Sequence, residues 1–181
     1  MNKFYKLVVF IVVTTIMSFN VYADWYTFET PKFKVVFPKS PTHTTKILNS
    51  EVGELSMHLY MYNASIDETD ENLIYSVGSS EYPKQHIDAH IKQDNLSAFF
   101  KNSIDGMVKN VSGKLLSESK INLENYPGRE FKIDFKDGLA IIKTRIYLVD
   151  TTVYFLQTIT KTEKENNKLI DKFMNSFTIK K

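Results

Sequence analysis

Cysteine is absent from the 181 residues, which excludes a disulfide-stapled scaffold, a thiol nucleophile and a lipid-bearing cysteine at a processing site. Glycine and proline are scarce, and no low-complexity linker or internal repeat divides the chain. One stretch is strongly apolar, residues 7–17, and it gives way to Ser18 and Asn20 before reaching the roughly 20 residues of a membrane span. A Gly-x-Ser-x-Gly elbow, a phosphate loop and a dinucleotide fingerprint are all missing, so no motif with a catalytic mechanism stands out. What remains is a chain 43% apolar and 13% aromatic, rich enough to bury a core and long enough for one domain.

The beginning has its own grammar. Lys3 and Lys6 precede the apolar run, and Val21-Tyr22-Ala23 supplies the small and aliphatic residues that a signal peptidase reads. Residues 1–23 are therefore expected to be a cleaved secretory signal, and residues 24–181 a single exported domain in the periplasm or outside the cell. Loss of the two lysines leaves as many basic as acidic residues. A neutral protein has no global attraction for polyanions, so nucleic acid is not an expected partner, and no stable membrane anchor is expected after cleavage.

Along the mature chain, residues 33–37 read as a strand halted by Pro38 and Pro41, with a second strand over 44–49. Residues 55–64 alternate, with Leu55, Met57, Leu59 and Met61 on one side and His58, Tyr60 and Tyr62 on the other. Residues 73–77 make a further strand. The period then changes: Leu96, Phe99, Phe100, Ile104, Met107, Val108 and Val111 recur at helical steps, with Asp94 or Asn95 as N-cap. Asp137-Gly138 is a two-residue hairpin turn that sets Ile133 opposite Ile142 and Glu130 opposite Arg145. A second turn at Asp150-Thr151 pairs Leu148 with Val153 and Ile146 with Phe155. Both turns place Phe131, Ile133, Phe135, Ile142, Ile146, Leu148, Val153, Phe155 and Ile159 on one apolar face. Thr162 and Glu165 have the spacing of a capping box for a closing helix that carries Leu169, Phe173 and Phe177.

The runs Gly113-Lys114-Leu115-Leu116-Ser117-Glu118, Asn125-Tyr126-Pro127-Gly128-Arg129-Glu130-Phe131, Arg145-Ile146-Tyr147-Leu148-Val149 and Phe173-Met174-Asn175-Ser176-Phe177 resemble a set of exported bacterial proteins. Those proteins are similar in fold to PsbP, the extrinsic subunit of photosystem II, and to a Ran-binding nuclear-import factor. The resemblance implies an α+β domain, a layered α/β/α sandwich around a central, mainly antiparallel sheet. It implies no catalytic residues, because binding and assembly factors share the fold.

Candidate sites follow from residue chemistry. His86 and His90 stand one helical turn apart, at metal-ligand spacing, but a zinc site needs a third protein ligand, so the bland reading is two solvated histidines and no metal or cofactor is expected. His58, Tyr60 and Tyr62 could present a ligand face or form a second core layer. Arg129 and Arg145 are the only arginines, suited to a carboxylate or other anion, or else to a cross-strand ion pair. Lys132, Lys143, Arg145 and Tyr147 share the side opposite the apolar face and are the first choice for a partner-binding patch. The leading expectation is a non-catalytic binding or accessory factor with a protein partner in the envelope. A hydrolase or metal-dependent enzyme using His58 or His86 and His90, and a small-molecule carrier, are the alternatives.

Overall fold

The computed structural model describes residues 25–50, 52–92 and 95–180, with backbone alone for 90–92; the expected signal segment and the N-cap candidate Asp94 lie outside them. The chain forms β1 (Tyr26–Glu29), β2 (Phe33–Phe37), β3 (Thr42–Ser50), β4 (Gly53–Asn63) and β5 (Asn72–Glu81), then α1 (Lys84–Lys92) and α2 (Leu96–Asn110). There follow β6 (Lys114–Leu123), β7 (Tyr126–Phe135), β8 (Ala140–Val149), β9 (Thr152–Lys161), α3 (Lys168–Met174) and β10 (Thr178–Ile179). Seven strands make one antiparallel sheet in the order β3-β4-β5-β9-β8-β7-β6, and β1-β2-β10 make a small second sheet.

Turn chemistry sets the register of the large sheet. Lys136, Asp137 and Gly138 all take positive φ, 53°, 52° and 87°, so this reversal spans residues 136–139 rather than the two residues expected, though it keeps the expected register, and the Gly138 amide donates to Asp134 Oδ1 at 2.7 Å. Ile133 consequently faces Ile142 and Glu130 faces Arg145. The reversal at Asp150 pairs Leu148 with Val153 and Ile146 with Phe155. All nine residues expected on one face gather in one apolar cluster, where Phe99, Phe100 and Ile104 of α2 and Ile87 of α1 cover them. Phe155 also lies across β5, where the absence of a side chain at Gly78 gives its ring room: a Cβ there would stand 2.1 Å from it.

The opposite face is apolar too. Tyr62, Tyr75, Val77, Tyr147, Val149, Tyr154 and Leu156 pack against Phe33, Val35 and Phe37 of β2 and against Ile170, Phe173, Met174 and Phe177. Strands β8 and β9 are thus buried on both sides, which explains why apolar residues occupy both parities of their sequence. Each fully buried Phe, Leu or Ile contributes about 1.5–3 kcal/mol, so the two clusters carry the stability of a chain without cross-links.

Two placements that the sequence left open are settled, and one local expectation needs correction. Strand β2 belongs to the small sheet, where the two-residue β10 pairs with it from the far end of the chain. The segment around His86 and His90 is a separate helix, α1, and not a continuation of α2. Thr162 and Glu165 do not cap a helix. The Thr162 hydroxyl donates to the Gly138 carbonyl at 2.7 Å, Glu165 accepts from Lys132, and α3 starts later. Asn167 caps it, its Oδ1 accepting from the amides of Leu169 and Ile170 at 3.0 and 3.1 Å.

Asn167 also joins a buried polar clasp. Its Nδ2 donates to Asn72 Oδ1, which accepts as well from the Thr160 hydroxyl, while Asn72 Nδ2 donates to the Tyr75 hydroxyl. Tyr75 in turn donates to Asp70 Oδ1 at 2.8 Å. Burial, and then the Asp70 charge, push the Tyr75 phenol well above its ordinary range, and burial raises the Asp70 carboxyl against the pull of its hydrogen bonds. The clasp ties β5 and β9 to the start of α3.

Candidate functional site

Charged side chains of β7 and β8 are brought together as expected, but they are occupied. Arg145 Nε donates to Glu130 Oε2 at 2.6 Å and its Nη1 donates to Asn175 Oδ1 at 2.8 Å. Lys143 stands 3.5 Å from Glu130 and 3.8 Å from Asp171, and Lys132 stands 2.7 Å from Glu165. Burial alone would raise the Glu130 carboxyl. The Arg145 hydrogen bond and the charges of Lys143 and Arg145 outweigh it and hold the group below its usual range. Tyr147 is 4% exposed and stacks on Phe177, with ring centroids 6.3 Å apart. The expected open patch is therefore mostly a closed seam: α3 and the residues around it use Arg145, Lys143 and Lys132 as anchors, and Tyr147 belongs to the core. A recess of about 200 Å³, walled by Lys132, Lys143, Glu165 and Asp171 among others, stays open there.

The His58, Tyr60 and Tyr62 face divides along its length. Tyr62 is buried beside Tyr75, 6.4 Å between ring centroids, and Tyr60 is half-buried between Phe28 and Phe33 at 4.7 and 5.9 Å. His58 is exposed. The register of β3 against β4 sets His43 opposite Tyr60 and Thr45 opposite His58. The His43 ring lies flat on Tyr60, centroids 4.5 Å and planes 15° apart, and its Nε2 comes within 3.4 Å of His58 Nδ1. Thr45 Oγ1 stands 3.3 Å from the same nitrogen. A continuous row of rings, Phe28, Tyr60, His43 and His58, thus runs from the core to the free edge of the sheet. Sequence reasoning passed over His43. Extending the pairing outward from the turn between Ser50 and Gly53 would have brought it to His58.

That row offers flat π faces and imidazole nitrogens to solvent, a chemistry suited to stacking and hydrogen bonding with a partner. Among the described residues, the side chains within hydrogen-bond reach of His58 are His43 and Thr45, neither an acid nor a serine. His86 packs with Tyr82 and Phe99, at 6.0 and 6.3 Å between centroids, and the His90 side chain lies outside the described residues. No group of three or more His, Asp or Glu among the described residues could hold a metal ion.

Comparison with known proteins adds one finding at the level of architecture. No family model matches the chain, and no curated protein does. Among solved structures, cyanobacterial PsbP (CyanoP) from Synechocystis sp. PCC 6803 superposes with a TM-score of 0.51 at 14% identity, over 87% of this chain and 92% of that one. The fold is PsbP-like. At that identity the likeness transfers no site residue, so the PsbP-like frame says where strands and helices go and leaves the ring row and charged seam to be read from their own chemistry. No helix among the described residues is long and apolar enough to cross a membrane.

Proposed function

We propose that this chain is a non-catalytic binding or accessory protein, exported to the bacterial envelope or beyond it, that meets a macromolecular partner through the ring row on β3 and β4. The observation that carries this is the Phe28, Tyr60, His43, His58 stack, which keeps two imidazoles exposed, His43 on the edge strand β3 and His58 on its neighbour β4, while its inner end is fixed in the core. Aromatic groups anchored at one end and open at the other lose little conformational freedom when a partner covers them. The PsbP-like fold is compatible with the reading, since it supplies the frame on which the row is mounted. The two apolar clusters support a layered α/β/α arrangement in which the sheet edge is left for contact.

A photocrosslinking residue placed at Ile47, exposed on the same face of β3 as His43 and Thr45, should yield one discrete adduct in the envelope fraction of the producing cell. The same residue at Lys120, on the opposite edge strand, should not. Loss of the adduct on His43→Ala with His58→Ala would tie it to the row, and an adduct unchanged by that double substitution would refute the surface. Turnover of a substrate that depends on His58 would favour the hydrolase instead.

A further inference from the structure

At the other end of the sheet, a groove of about 430 Å³ separates α2 from β6, and Lys101, Ile104, Leu115, Glu118, Lys120 and Arg129 form much of its wall. Arg129 is the feature that needs explaining. One of two arginines in the chain, it is 7% exposed, and its guanidinium carbon sits 4.7 Å over the Phe100 ring. Its Nε donates to a single oxygen of Glu118 at 3.2 Å and its Nη1 donates to the Gly128 carbonyl at 2.9 Å. No acceptor for Nη2 is found among the described residues, although the residue helps to wall an open groove.

Desolvating a guanidinium is costly, and a purely structural ion pair normally repays that cost by closing the planar fork on both oxygens of a carboxylate. Here the fork is half used. Across the groove, Lys101 is bound to Asp105, and Lys120 has no ion-pair partner among the described residues. After this internal pairing the wall keeps an excess of positive charge. Leu115, exposed at the rim, supplies an apolar strip alongside it, over a base that the buried Ile104 closes. The volume lies within the range of about 300–1,000 Å³ that small-molecule sites occupy.

We propose that this groove binds a small amphiphilic carboxylate. The head group is received by the Nη2 side of Arg129 and by Lys120, and the apolar body lies against Leu115. The site is remote from the ring row, with strands β5, β9 and β8 between β4 and β7, so it stands or falls independently of the partner surface proposed above.

Octanoate, acetate, 1-octanol and inorganic phosphate, titrated separately into isotopically labelled protein and followed by amide resonances, test it. Octanoate should shift the amides of residues 115–120 and of Arg129 saturably, acetate should act at the same amides about tenfold more weakly, and 1-octanol should not saturate. Because Arg129 is buried and its replacement could unfold the chain, the deciding variant is Lys120→Glu at an exposed position, which should weaken octanoate about tenfold while leaving the other resonances in place. The proposal is overturned if octanoate causes no saturable shift at these amides, if Lys120→Glu binds it equally well, or if 1-octanol matches it. Phosphate binding as tightly as octanoate would overturn the role given to the apolar strip.

Discussion

Two hairpins of the same sheet obey the same pairing rules and are held by different forces. The hairpin of β7 and β8 is roofed on both sides, by α2 on one face and by α3 on the other, and its apolar residues belong to both cores. The hairpin of β3 and β4 has β3 exposed over almost its whole length, and its outer part extends past the last β5 partner, which faces Met57. Backbone hydrogen bonds alone give a two-stranded ribbon little independent stability. What the difference teaches is a division of labour: burial fixes the centre, and the edge is left to cross-strand ring pairs that a partner can reach.

The comparison can be broken most directly by truncating one residue in each region. Phe131→Ala in the roofed hairpin is expected to cost about 3–5 kcal/mol in urea unfolding, whereas Leu48→Ala on the exposed strand should stay within about 0.5 kcal/mol. Equal costs would mean that β3 is covered in solution. Next in size, Asn72→Ala leaves the Thr160 hydroxyl and the Asn167 amide without their buried acceptor and should destabilise by about 1–3 kcal/mol. Hydrogen exchange would sharpen that result, since α3 should lose protection before the ribbon changes.

Acid offers a third test. Glu130 titrates below its ordinary value of 4.5 in the folded state, so its contribution is present above that value and is lost as pH falls through the lowered one. The stability gap between the native chain and Glu130→Gln should therefore shrink below about pH 4.5, as measured by denaturation at a series of pH values. A constant gap would show that Arg145 and Lys143 do not hold the carboxylate. The smallest effect belongs to Thr158, whose fully buried hydroxyl finds no partner among the described residues: Thr158→Val should raise stability by about 1 kcal/mol.

These tests follow the boundary between what was legible in the sequence and what was not. The turns at Asp137-Gly138 and Asp150 were readable because their chemistry is local, and once their positions are known the parity of nine apolar residues follows without further information. Strand β2 was readable from five residues, but its partners were not. Four residues of β1 and two of β10 are too short to show a period, and β10 meets β2 only through the folded tertiary structure. The same limit explains Tyr147. Alternation assigned it correctly to the side opposite Ile146, yet nothing local says that Phe177 comes back to cover that side. His43 and His58 fall between these cases, since their proximity depends on one turn whose register was left undrawn.

The pairing of β2 with β10 has a consequence in time. Phe33, Val35 and Phe37 emerge early from the ribosome, while the strand that finishes their sheet is made some 140 residues later, a delay of roughly 10–30 s at ordinary elongation rates. Throughout that interval a greasy segment has an open edge and no cover, and the nascent chain needs either a shielding companion or rapid onward transit to avoid sticking to its neighbours.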